Sequence, residues 1–321
     1  MNLTKCNSPS NLLDTELWTP TPLLPAKVIG DKLRIDLWFK REDCTPVGSF
    51  KLRGAIVAID RLKAKILSNR IWVASAGNFG LAVAQAGEKY GINISVVVPN
   101  GATPSKIDRI QLTGAHIVTY GNDFDESKEH ARQKALETGS TFWEDGSIPE
   151  IAEGASTISH EILSQSDSWD WVIVPIGNGS LIKGIAEVFK QNSPATKIAG
   201  IVPSGAPSMY HAIKGNSNFD GNPISTVADG LAVRMPIQPI VNELTPLLDD
   251  LWLVSESEIL PAINTLMKYE SILVEPSAAI GLAGIVAHQN LLEGEKVAMI
   301  ITGAHLDHKL LPQIIGSSPL V

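Results

Sequence analysis

Short β-branched runs alternate with longer stretches of helical periodicity along most of this chain. DLWFKR is followed by GAIVAIDRLKAKIL, RIWVAS by LAVAQAGEKYG, ISVVVP by SKIDRIQLTG, and HIVTY by DESKEHARQKALETG. Few folds accept that order. Parallel strands need a crossover long enough to hold a helix, so the pattern calls for parallel sheets covered by helices on both faces. It resumes in the second half with WVIVPIG, KIAGIVP and VAMIITG, so both halves are α/β. At 321 residues the chain exceeds the usual size of one core, and one large or two closely joined domains are expected.

Helix boundaries are marked by ordinary signals. Thr103-Pro104-Ser105 opens one helix, Asp125-Glu126 puts acids in the first turn of another, and Glu256-Ser257-Glu258 opens a third. Gly91, Gly114 and Gly139 follow periodic segments, as expected of C-terminal caps. The turn-rich stretch 214–225 reads as a loop.

The 26 basic and 34 acidic residues leave a formal charge of −8, which argues against a nucleic-acid or anionic-membrane partner. Cys6 and Cys44 belong to no CxxC pair and no zinc-spaced Cys/His cluster, so a reducing compartment is the simplest reading. The opening MNLTKCNSPSNLLDTELW has no apolar h-region, and runs such as WVIVPIG and VAMII are far too short to span a bilayer. A soluble, cytoplasmic protein with a small-molecule substrate is expected.

Three segments carry candidate chemistry. Lys51 stands in SFKLRGA (49–55), where a lysine is either a solvated helix-start charge or a reactive amine. In ASAGNFGLAVA (74–84) an apolar strand runs through Ser75, Ala76, Gly77, Asn78, Phe79 and Gly80 into a helix of small residues. Such a turn aims backbone N–H groups and a helix N-terminus at one point and suits an anion such as a carboxylate; an ordinary turn capped by Asn78 has the same sequence. VPIGNGSLIKG (174–184) repeats the arrangement: Gly177 and Gly179 permit close backbone approach to a phosphate, and Ser180 adds a hydroxyl. It is neither GxGxxG nor a Walker loop. Thr302, at the end of an apolar strand in IITGAHLD, is either a donor to a heteroaromatic nitrogen or a turn residue, and Glu275 in LVEPSAAIGLAG marks a helix start.

The order TPLLPA, KREDCTPVGSFKLRGA, SAGNFG, AEGAST, GNGSL, ADGLAV, EPSAAIGLAG and TGAHLD resembles the fold type II pyridoxal-phosphate enzymes, with threonine/serine dehydratases and serine racemase as the nearest types. The resemblance spans residues 21–307. It implies two doubly wound α/β domains with pyridoxal 5'-phosphate in the cleft between them: a large domain from 1–69 and 148–321 and a smaller inserted one at 70–147. It also implies roles. Lys51 would hold the cofactor covalently and then serve as base at Cα. Phe50 would pack on the cofactor ring and Asn78 would bond its 3'-oxygen. Gly177, Asn178, Gly179, Ser180 and Leu181 would cradle the phosphate, Thr302 would face the pyridine nitrogen, and Ser75, Ala76 and Gly77 would take the substrate carboxylate, with Phe79 beside them. A homodimer is implied by the resemblance alone.

An uncharged Thr302 hydroxyl does not hold a ring nitrogen protonated as an aspartate does, so charge at Cα is better drained by expelling a β-substituent than by long-lived delocalisation. That favours β-elimination or β-replacement over transamination. The favoured activity is a dehydratase, or ammonia-lyase, converting a β-hydroxy-α-amino acid to a 2-oxo acid and ammonia. The rivals are a β-replacement or threonine-synthase-like enzyme and, further off, a catalytically silent binding relative, which an intact Lys51 disfavours.

Departures from the family pattern sharpen this. Ala76 stands where serine racemases place a serine acid/base, and a methyl moves no proton, so racemization is not expected. Val202 and Ser208 in GIVPSGAPS replace the acidic ligands of the cation-binding members, so no metal is expected there. Phe79 replaces a common histidine by an apolar wall. If Trp143 of TFWEDG also reached the cleft, an aromatic substrate such as 3-phenylserine would fit, whereas both rings equally suit the core. The chain ends soon after the last motif, so no regulatory domain of the biosynthetic threonine dehydratase kind is expected.

Overall fold

The structure, a computed structural model, describes residues 19–166, 168–216 and 224–321. The N-terminal stretch with Cys6, and most of the 214–225 loop, lie outside these residues. Ten strands form two sheets among the described residues: β1 (Leu23–Pro25), β2 (Asp36–Arg41), β3 (Arg70–Ala74), β4 (Asn93–Val98), β5 (His116–Thr119), β6 (Thr141–Trp143), β7 (Trp171–Pro175), β8 (Lys197–Pro203), β9 (Asp250–Val254) and β10 (Lys296–Ile301). The larger sheet has the order β1-β2-β10-β7-β8-β9, and the smaller has the order β5-β4-β3-β6. All neighbours are parallel except β1 and β2. This is the two-part α/β architecture expected.

Strands in the middle of such sheets are covered on both faces, which is why β7 (WVIVP) is buried throughout and reads as a continuous apolar run rather than an alternating one. The cap signals are realised: Thr103 precedes the helix Pro104–Gln111, Asp123 accepts from the Glu126 N–H, and Ser255 forms a capping box with Glu258. Strands β1, β6 and β9 were not anticipated, the first two being only three residues long. Among the described residues no helix is long and apolar enough to cross a membrane.

Three helices meet at the centre almost backbone to backbone. A Cβ on Gly154 of the helix Pro149–Gln165 would lie 2.4 Å from the Arg53 carbonyl oxygen, and one on Gly184 would lie 2.1 Å from the Ala152 carbonyl oxygen. The Lys51–Leu62 and Ser180–Asn192 helices are thereby pressed against opposite parts of one central helix. Val47, Leu52, Ile56 and Ile151 join the core under the smaller sheet.

Beneath that junction lies a buried ion network. Arg53 donates from Nε and Nη2 to Glu42 at 2.6 and 2.8 Å, and from Nη1 and Nη2 to Glu161 at 2.5 and 2.8 Å. Lys40 Nζ donates to Glu161 at 2.5 Å and to the Thr21 carbonyl at 2.7 Å. The four ionic side chains are at most 2% exposed. Two positive and two negative charges balance, as burial demands. Burial pulls Lys40 below the ordinary lysine range although Glu42 and Glu161 oppose it. Burial also disfavours the charged form of Arg53, yet Glu42 and Glu161 hold it above its usual value.

Arg53→Ala strands two carboxylates in the core and is expected to cost about 3–5 kcal/mol, read from urea unfolding midpoints. Arg34→Ala, which removes an exposed pair with Glu293, should leave the midpoint where it is.

Candidate active site

Lys51 is the first residue of its helix, because the chain entering it is tied across to the end of β10. Phe50 N–H donates to the Thr302 carbonyl at 3.1 Å, Ala304 N–H to the Gly48 carbonyl at 2.9 Å, and Ser49 bridges Gly303. These bonds place the Lys51 amine and the Thr302 side chain on one cleft of about 600 Å³. Lys51 Nζ lies 2.6 Å from Asp145 Oδ2, 4.9 Å from the centre of the Phe50 ring and 5.9 Å from that of Phe79.

Two strand–turn–helix units open on the same cleft. From the smaller sheet, β3 leads through Ser75, Ala76 and Gly77 into the helix Asn78–Tyr90. Among the described residues the N–H groups of Ala76, Asn78 and Phe79 have no partner, while that of Gly77 donates to the Ser75 hydroxyl at 3.2 Å. From the larger sheet, β7 leads through Gly177, Asn178 and Gly179 into the Ser180 helix. Here the N–H groups of all five residues from Gly177 to Leu181 are without partners among the described residues. Gly179 has φ +94°, and a Cβ there would lie 2.7 Å from Ile240 Cγ2. The Thr302 hydroxyl, nearly buried, has no hydrogen-bond partner among the described residues. All thirteen anticipated site residues line this cleft.

The side chain of Asn78 is held by two residues to which the sequence lent no chemistry. Its amide donates to Glu275 Oε1 and Oε2 at 2.9 and 3.0 Å, and its carbonyl oxygen lies 2.6 Å from His305 Nδ1. With the amide committed to a carboxylate, the imidazole must donate through Nδ1. Burial pushes Glu275 up to about 7, against the pull of Asn78. Burial, reinforced by Arg109 and Lys106, brings His305 down to about 4, so the ring is neutral. Room for the trio comes from Gly303, where a Cβ would lie 2.6 Å from Glu275 Oε1. His305 lies inside the quoted TGAHLD motif, three residues after Thr302, and that proximity was the available signal. Asp145 stands in TFWEDG, where nothing local distinguishes it from a turn acid; only the fold brings it to Lys51.

Trp143 itself does not reach the cleft. It is 4% exposed and packs in the core under the smaller sheet, because β6 turns it inward. Phe79 does both: it belongs to that core and lines the cleft. Val202 is buried in β8, and Ser208 begins a short helix.

Comparison with known proteins places this geometry. The family described as pyridoxal-phosphate dependent enzyme matches residues 15–303. The chain is 33% identical over 293 residues to the biosynthetic L-threonine dehydratase of Haemophilus influenzae, covering 91% of this chain and 57% of that one. It is 31% identical over 298 residues to the L-threonine ammonia-lyase of Thermotoga maritima, covering 92% and 74%. The chain thus spans little more than half the length of several curated relatives it matches. The processed threonine deaminase isoform 2 of Solanum lycopersicum superposes with a TM-score of 0.90 at 31% identity, covering 96% of this chain and 86% of that one. Maize serine racemase superposes at 0.85 with 28% identity, covering 92% of each.

The chain belongs to the family of pyridoxal-phosphate dependent enzymes, with the type II fold of its threonine dehydratase branch. Its cofactor is pyridoxal 5'-phosphate, and the cleft fits that group: a lysine amine, a glycine-shaped cradle of five unpaired N–H groups, and an unpartnered hydroxyl face one space.

Glu275 binds a proton in the folded chain at pH values where the unfolded carboxyl has lost it, so its contribution to stability is full in acid and is lost as pH rises through about 7. His305 behaves oppositely, its contribution being lost only as pH falls from the unfolded value of 6.5 toward 4. Between pH 6.5 and 8 the cofactor-free protein is therefore expected to lose about 1 kcal/mol relative to Glu275→Gln, measured by unfolding at each pH. Gly179→Ala, strained at positive φ, is expected to weaken cofactor affinity at least about tenfold in an absorbance titration.

Proposed function

We propose that the chain is an ammonia-lyase that eliminates water from a β-hydroxy-α-amino acid and releases a 2-oxo acid and ammonia. The observation that carries this reading is the convergence on one cleft of the Lys51 amine and two helix N-termini whose N–H groups lack partners. Lys51 would hold the cofactor through its amine, Gly177 to Leu181 would take the phosphate, and Phe50, Asn78 and Thr302 would hold the ring. Bound there, pyridoxal phosphate supplies a sink for the electron pair left at Cα.

The other steps belong to the chain. The N–H groups of Ala76, Asn78 and Phe79, at the positive end of a helix, hold the substrate carboxylate and fix the Cα–H bond toward Lys51. Lys51 Nζ takes the Cα proton. The β-hydroxyl departs as water with the proton that Lys51 has taken from Cα, and the enamine set free tautomerises to an imine that water hydrolyses to 2-oxo acid and ammonia. Ala76 offers no group to return a proton to the opposite face of Cα, which supports elimination over racemization. The Thr302 hydroxyl, a neutral partner for the ring nitrogen, supports prompt loss of the β-substituent.

For the substrate we propose threonine or serine, with the Phe79 wall admitting a larger β-group such as the phenyl of 3-phenylserine. The dehydratase and ammonia-lyase names of relatives at 31–33% identity support the reaction class.

The test is release of 2-oxo acid from L-threonine, L-serine and L-threo-3-phenylserine by yellow, cofactor-loaded protein. Lys51→Ala is expected to lower turnover by at least about 10³-fold with its unfolding transition retained. Unchanged turnover in that variant refutes the site. Capture of an added nucleophile at Cβ in place of 2-oxo acid points instead to β-replacement.

A further inference from the structure

Asp145 is the one acidic side chain in contact with the Lys51 amine among the described residues. It lies between β6 and the helix Pro149–Gln165, with its side chain 20% exposed on the cleft. Oδ2 holds Lys51 Nζ at 2.6 Å; Oδ1 is buried and has no hydrogen-bond partner among the described residues. The buried carboxylates of Glu42 and Glu161 differ, since every oxygen of theirs has a donor. A merely structural ion pair would be satisfied in the same way, because an unmet carboxylate oxygen is costly. The backbone next to Asp145 is also fixed against the phosphate loop: Gly146 has φ +92°, and a Cβ there would lie 2.9 Å from Asn178 Cβ. The carboxylate is thus fixed beside the amine that serves Cα and close to the anion cradle, and Cβ of a substrate is one bond from that Cα.

We propose that Asp145 is a specificity residue that accepts a hydrogen bond from the β-substituent of the substrate, selecting amino acids with a β-hydroxyl and excluding those with a β-carboxylate. The proposal rests on the elimination reading and narrows its substrate class. The cleft also holds a counter-argument. Lys106 pairs with Asp229, Lys128 with Glu144 and Arg234 with Asp125, but Arg109 has no anionic partner among the described residues. If Arg109 reads the substituent, the preference reverses.

The experiment uses ligands that lack a Cα proton and so cannot react: α-methyl-L-serine, 2-aminoisobutyrate and α-methyl-L-aspartate. Their affinities for the cofactor-loaded protein are measured by calorimetry, apart from any turnover. The wild type is expected to bind α-methyl-L-serine at least about tenfold more tightly than 2-aminoisobutyrate, and α-methyl-L-aspartate most weakly. In Asp145→Ala the hydroxyl preference falls to within about twofold. Asp145→Asn, isosteric and uncharged, gains at least about tenfold in affinity for α-methyl-L-aspartate and carries the test if the alanine variant does not fold. An unchanged hydroxyl preference in Asp145→Ala, no gain in Asp145→Asn, or tightest wild-type binding of α-methyl-L-aspartate overturns the inference. Turnover is scored separately: binding preferences as expected without 2-oxo acid from any β-hydroxy amino acid would sink the elimination reading, and normal turnover with unchanged preferences in the variants would sink only the role of Asp145.

Discussion

The reactive end of this molecule depends on a guanidinium that never meets water. Arg53 lies two residues beyond Lys51 on the same helix, and its contacts with Glu42 and Glu161 join the end of β2, the Lys51 helix and the central helix at one point. Charges taken out of water tolerate little displacement, because each loses its solvation and keeps only the partners it was given. The network therefore ties the start of the Lys51 helix to the end of β2 and to the central helix, and Lys40 closes it to neutrality. Above it, the bridge between Ser49 and Gly303 joins the same helix start to the end of β10, which carries Thr302.

Around that fixed amine the two sheets contribute matching units. Each brings a buried parallel strand to its C-terminal edge, turns it through glycine and starts a helix whose first N–H groups are left unpaired. One unit is shaped by Gly179 at positive φ and the other by Gly80, where a Cβ would lie 2.4 Å from the Ser75 carbonyl oxygen. The central helix makes close backbone contact with the Lys51 helix through Gly154 and with the Ser180 helix through Gly184. Amine and cradle are thereby carried by helices packed backbone to backbone on one central helix.

Much of this was legible in the sequence, for physical reasons. Alternating β-branched and helical runs identify parallel sheets because only a crossover helix joins such strands. The glycine turns and Lys51 stood out because they carry backbone and side-chain chemistry locally. What stayed hidden was non-local. Short strands such as β1 and β6 hold too few residues for a period to register. Lys40, Glu42, Arg53 and Glu161 look like surface charges until the fold buries them together. Glu275 reads as a helix start, and only its burial in the folded chain, against the pull of Asn78, makes it a proton-holding carboxyl. Trp143 was a candidate for the cleft only as a second aromatic beside Phe79, yet β6 turns it into the core.

The division between an ion-locked floor and a wall of independent side chains has a consequence for how such a chain diversifies. A change at Lys40, Glu42, Arg53 or Glu161 unbalances three other charges, so that layer is reached only by concerted replacement. Phe79 and Asp145 face the cleft outside that layer, so a substitution at either leaves its charge balance intact, although Phe79 also packs in the core under the smaller sheet. The ion-locked floor therefore constrains change in sets of four residues, whereas the cleft wall can change one residue at a time.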